Sequence, residues 1–160
     1  MKARFYFIRM TLILCLSFFS LTLWSDNEGK NLNIVFIGNS ITQGVLLENP
    51  EKQAPPVKCV DWLEAQLDVE KIPYFNAGRS GCTTVDFLPE TNSLFSWMKI
   101  EADKLAKNKG VLLFSIMLGT NDSAISGPKG APVEAEQYCE NMRKIINELL
   151  NLYPKAVIVL

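Results

Sequence analysis

The sequence predicts a doubly wound α/β fold, a parallel sheet with helices on both faces. Short β-branched and aromatic runs alternate along the chain with amphipathic helical patterns. The strand-like runs after residues 37, 77 and 118 exit into glycine-rich or small polar turns. No internal repeat, low-complexity tract or second-domain boundary interrupts the alternation. Parallel strands joined by helical crossovers are the packing that such an order implies.

Taken in order, Leu32–Ile37 is a buried first strand leaving into Gly38-Asn39-Ser40-Ile41-Thr42-Gln43-Gly44. Residues 45–56 read as a loop, because Pro50, Pro55 and Pro56 oppose regular helix. Val60, Leu63 and Leu67 recur at helical steps and predict a helix over 57–67. Pro73–Ala77 is a second strand, and its exit is Gly78-Arg79-Ser80-Gly81-Cys82-Thr83-Thr84. Leu94, Phe95, Met98, Ala102 and Leu105 share one face of a helix over 94–107, which Gly110 follows. Val111–Leu118 is the third strand, closed by Gly119-Thr120-Asn121-Asp122. Pro132 opens a helix with the stripe Tyr138, Met142, Ile145, Ile146 and Leu149; Pro154 ends it, and 156–160 begin a fourth strand.

With 160 residues, 48% hydrophobic and 21% charged, the chain is long enough for one domain with a core. A net charge of −1 points to neither nucleic acid nor an anionic membrane surface as partner. Lys2, Arg4 and Arg9 precede a mostly apolar run from Met10 to Trp24, which reads as a signal peptide over residues 1–25. An uncleaved anchor is the alternative, since Leu23-Trp24-Ser25 is a poor cleavage match. Cleavage predicts a secreted or periplasmic domain over 26–160 without stable membrane insertion. Cys59, Cys82 and Cys139 then remain, with neither metal-site nor disulfide spacing. The chain has no histidine, so an imidazole base or a histidine-ligated metal is beyond these residues.

In a parallel α/β sheet the loops leaving the carboxyl ends of the strands share one edge. Ser40, Gly81 and Asn121 occupy three such loops, after the first, second and third strands. A serine hydroxyl attacks a carbonyl once its proton is removed. The charge that builds on the carbonyl oxygen needs fixed donors, and a glycine N–H and an asparagine amide are suitable. Each residue also has an ordinary reading. Ser40 could cap the helix after it, Gly81 could supply a positive φ, and Asn121-Asp122 could bond local backbone. Asn76 and Arg79 could tie loops together, and Cys82 reads as filler rather than nucleophile.

Together, GNSITQG, NAGRSGCTT and LGTNDS resemble the first three conserved blocks of the SGNH hydrolases, the GDSL-like esterase and lipase superfamily. The resemblance implies a three-layer, flavodoxin-like α/β fold and ester hydrolysis without a cofactor. It implies Ser40 as nucleophile, Gly81 as oxyanion-hole glycine (with Gly78 in a shifted register) and Asn121 as side-chain oxyanion donor. The phrasing around Ser40 and Asn121 is similar to secreted members that deacetylate carbohydrates, implying a small-molecule or glycan ester as substrate. Asn39 stands where the family usually has aspartate, and the family's later Asp-x-x-His block is absent. The expectation is therefore an SGNH domain that is C-terminally truncated and poorly active. A non-catalytic glycan binder, or a phosphate binder using the Gly38–Gly44 turn, is the alternative.

Overall fold

The computed structural model describes residues 31–91, 94–127 and 131–160; the expected leader lies outside them. The described residues form one sheet of four strands: β1 (Leu32–Gly38), β2 (Tyr74–Gly78), β3 (Val111–Met117) and β4 (Val157–Val159). All pairings are parallel and the order is β2-β1-β3-β4.

Period-two alternation in β1 builds two cores. Val35 and Ile37 face a cluster with Phe114 and Ile116 of β3, covered by α4 (Leu94–Leu105) and α5 (Ala135–Leu152). Phe95, Met98, Met142, Ile145 and Leu149 are the helical contribution there, as their spacing predicts. Ile34 and Phe36 face the other way and pack with Ile72 and with Val60 of α3 (Pro55–Leu67). Each large apolar side chain buried this way contributes about 1.5–3 kcal/mol.

Two local expectations are corrected. The stretch expected as loop holds a helical turn, α2 (Pro50–Gln53), after the short α1 (Ser40–Gln43), and α3 begins at Pro55 rather than at 57. Proline opposes a helix interior but suits its first turn, where the missing N–H is unpaired anyway. Pro50, Pro55 and Pro56 all stand in such first turns. The last helix begins at Ala135 rather than Pro132. The Val133 N–H donates to the Asp122 carbonyl (2.8 Å), which ties this stretch to the loop after β3 before the helix can start.

The buried Asn33 fixes where the sheet begins. Its amide donates to the Lys109 carbonyl (3.1 Å) and its Oδ1 accepts from Asn108 (2.9 Å). Gly110 completes this junction at φ 107°, and a Cβ there would stand 2.0 Å from the Asn31 carbonyl oxygen. Only glycine fits.

Strand β4 has one neighbour, β3, among the described residues. Val157 and Val159 are half exposed and Leu160 is 76% exposed, so this edge is apolar as well as unpaired. The 160-residue chain is expected to self-associate through β4, and Val159→Lys to weaken that association. Sedimentation velocity over a range of concentrations checks this; identical behaviour of the two proteins would remove β4 as the pairing edge.

Candidate active site

Register brings three loops to one level. Gly38, the last residue of β1, pairs with Gly78 of β2 on one side and Met117 of β3 on the other. The turns that follow therefore leave the same edge of the sheet, and they carry Ser40, Gly81 and Asn121.

Ser40 is the first residue of α1 and is half-buried. Asn39 caps this helix, its Oδ1 accepting from the Ile41 N–H (3.0 Å), which an aspartate would do equally well. Gly44 ends it at φ 82°. Packing behind the turn is close. A Cβ on Gly78 would lie 2.4 Å from the Gln43 nitrogen, so β2 can approach α1 only with glycine there.

Hydrogen bonds fasten the second loop to the first. Asn76 donates to the Thr42 carbonyl (2.9 Å) and accepts from the Gly78 N–H (2.9 Å). The Arg79 N–H reaches the Gly38 carbonyl (2.9 Å), and the Ser80 N–H reaches Gln43 Oε1 (2.7 Å). Cys82 N–H donates to the Arg79 carbonyl (3.3 Å), closing a turn whose third residue is Gly81 at φ 79°. These bonds separate the two glycines. The Gly78 N–H is used inside the fold, whereas the N–H groups of Gly81 and Ser40 have no acceptor among the described residues.

The third loop is fastened to the second. Asn121 Nδ2 donates to the Cys82 carbonyl (2.7 Å), which engages one of the two amide hydrogens. Asp122 beside it is 2% exposed, and its Oδ1 accepts from both the N–H (2.9 Å) and the hydroxyl of Thr84. Asn141 of α5 donates to the Thr84 hydroxyl (3.0 Å) and accepts from Gln137 (2.8 Å). Asp122 Oδ2 is buried without a hydrogen-bond partner among the described residues. Burial, with the Asp122 carboxylate second, raises the Tyr138 phenol above its ordinary value.

Cys82 places a thiol within this edge. Burial pushes its thiol up to about 12, and the Asp86 and Asp122 carboxylates add to the shift. It stays protonated through the neutral range and donates to the Gly38 carbonyl (3.2 Å).

The residues singled out in the sequence thus stand on three loops joined by backbone and side-chain bonds. Gln43 and Thr84 stood within the first two turns with no role assigned by the sequence, and Asn141 lay within the last helix. Asn141 carried a signal: it is a polar residue inside the apolar stripe of Tyr138, Met142 and Ile145. Asp122→Ala would leave two buried Thr84 donors unpaired, at about 1–3 kcal/mol each. Urea unfolding should show a loss of roughly 2–6 kcal/mol; a loss below about 1 kcal/mol would mean that the Asp122 bonds contribute little.

A family model for the GDSL-like Lipase/Acylhydrolase family matches residues 36–160. No curated protein sequence matches the chain. Among solved structures, AlinE4, an SGNH-hydrolase family esterase, superposes with a TM-score of 0.56 at 22% identity, over 84% of this chain and 60% of that one. A two-domain esterase (CEX) active on acetylated mannans gives a TM-score of 0.56 at 24% identity, over 81% of this chain and 29% of that one. The chain therefore spans less than two thirds of either structure's length. At these identities the likeness is one of fold, and the fold is the one expected from the three sequence blocks. The family match covers most of the chain: it belongs to the GDSL-like lipase/acylhydrolase family.

Proposed function

We propose that the chain carries the nucleophile and oxyanion hole of a serine esterase that removes acetyl groups from a glycan. Ser40 Oγ attacks the ester carbonyl, its proton leaves to a base, and the alcohol departs to give an acyl-serine that water then hydrolyses. The Gly81 N–H, the second Asn121 amide hydrogen and the Ser40 N–H stabilise the oxyanion. One observation carries the reading: the Gly81 and Ser40 N–H groups, without an acceptor among the described residues, and an Asn121 amide with one hydrogen engaged stand with Ser40 on one bonded loop cluster. The acetylated-mannan esterase of the same fold supports a glycan ester as substrate. A phosphate cradle at Gly38–Gly44 is less well supported, because Asn39 already occupies the Ile41 N–H.

The proposed nucleophile has no imidazole partner within these 160 residues, which contain no histidine. This composition favours a second reading, a glycan-binding protein that does not turn over its ligand. A signal peptide over residues 1–25 and action outside the cytoplasm remain part of the proposal, supported by the basic start and the short apolar run. Exported protein still beginning at Met1 would count against cleavage. Among the described residues no helix is long and apolar enough to cross a membrane.

The chain as it stands should hydrolyse 4-nitrophenyl acetate weakly, within the ~10³–10⁴-fold over water that oxyanion stabilisation and binding supply without a triad base. The rate should climb steadily with pH, as hydroxide takes the proton, rather than level between about 6 and 8 as an imidazole base requires. Ser40→Ala should lower this turnover towards what the oxyanion donors and binding alone support. Rapid turnover that survives Ser40→Ala would refute the nucleophile, and saturable glycan binding with no Ser40-dependent turnover would favour the second reading.

Asn121→Ala should lower kcat by roughly 10²–10³-fold and leave KM nearly unchanged, because the donor acts on charge that exists only in the transition state. Steady-state kinetics giving near wild-type kcat would remove Asn121 from the site.

A further inference from the structure

We propose that Cys82 is a positioning residue for the oxyanion donors, its thiol holding the Cys82 carbonyl where it orients the Asn121 amide. The catalytic half of this rests on the esterase reading above, while the geometric half stands on the bonds themselves.

Cys82 touches all three loops through three different groups. Its Sγ donates to the carbonyl of Gly38, two residues before Ser40 (3.2 Å). Its N–H donates to the Arg79 carbonyl (3.3 Å), shaping the turn that presents Gly81. Its carbonyl accepts from Asn121 Nδ2 (2.7 Å). The asparagine amide is planar, so engaging one N–H decides where the second points. If the Cys82 carbonyl shifts, the amide turns with it.

The segment after Cys82 is anchored independently. The Thr83 N–H and hydroxyl both donate to Asp86 Oδ2 (2.8 and 3.1 Å), and Thr84 is held by Asp122. On the β1 side, the Gly38 carbonyl is shared by the Arg79 N–H and the Cys82 thiol. A buried aliphatic side chain would occupy the same volume, with Cys82 only 4% exposed, yet it would leave the thiol's share of that carbonyl unfilled. A thiol is a weak donor. Its effect here is to select one backbone position, and the oxyanion hole needs its donors fixed before the charge arrives.

The test uses the 160-residue chain with Cys82→Ser, which keeps a donor, and Cys82→Val and Cys82→Ala, which remove it. Two readouts are taken: Ser40-dependent turnover of 4-nitrophenyl acetate, and the side-chain amide NMR signals of Asn121, assigned by their loss in Asn121→Ala. Cys82→Ser should retain turnover within about threefold, whereas Val and Ala should lose about tenfold in kcat with KM little changed, below the ~10²-fold cost of a full ångström's misplacement. The Asn121 signals should move in Val and Ala and stay near wild type in Ser. If Val matches wild type in both readouts, Cys82 is filler and the proposal fails. If turnover proves independent of Ser40, the esterase reading fails, and the Asn121 signals alone decide the clamp in the same sense. Should Val and Ala not fold, the Ser variant decides: retained turnover and unmoved Asn121 signals support the clamp, and a tenfold or larger loss overturns it.

Discussion

The carbonyl of Gly38 stands where the central strand stops, and the loop geometry depends on what it binds. Strand β1 is paired on both sides, so its end cannot shift without breaking ladders to β2 and β3. Two groups of the second loop converge on that carbonyl, the Arg79 N–H and the Cys82 thiol. Cys82 in turn passes the position on to Asn121 through its own carbonyl. The sheet therefore sets the first loop, the first sets the second, and the second sets the side-chain amide of the third. Parallel pairing makes this possible, because it brings the carboxyl ends of all the strands to one edge.

Behind these contacts lies a layer of buried polar groups. Asp122, Thr84 and Asn141 run from the third loop through the second to helix α5. Groups of this kind are costly unless bonded, and bonded they allow few alternative arrangements. The loops of this edge are thus tied to the rigid layers on either side of them. Close glycine packing acts in the same direction: Gly78 lets β2 lie against the backbone of α1, and Gly110 lets the start of β3 pass Asn31. Fixed donors suit a reaction in which charge develops faster than a loose site could reorganise.

Charge and nucleophilicity are divided within this edge in a way that favours oxygen over sulfur. The buried thiol of Cys82 is held neutral beside two carboxylates, while Ser40 stands half-buried at the start of a helix, with no acceptor for its backbone N–H among the described residues. A neutral thiol donates a hydrogen bond; a thiolate in the same place would repel Asp86 and Asp122. The residue with the more intrinsically reactive atom is therefore used for shape.

The sequence by itself determined the fold class and the order of its strands and long helices. Period-two and helical patterns placed four strands and the three long helices, and the three glycine-containing turns marked Ser40, Gly81 and Asn121 before any geometry was known. These are local signals, written in neighbouring residues. The short helix at Pro50, the start of α3 at Pro55 and the late start of α5 were read less well, because proline opposes or opens a helix according to its position, and because Val133 answers to Asp122 across the loop. Tertiary structure alone decided which glycine N–H is free. The Gly78 N–H is taken by Asn76, whereas Gly81 sits at a positive φ with no acceptor for its N–H among the described residues. It also decided that Cys82 and Thr84 belong to the site's support, since their partners lie some forty residues away in the chain. Contacts at that separation depend on register and strand order, which emerge only when the sheet is assembled.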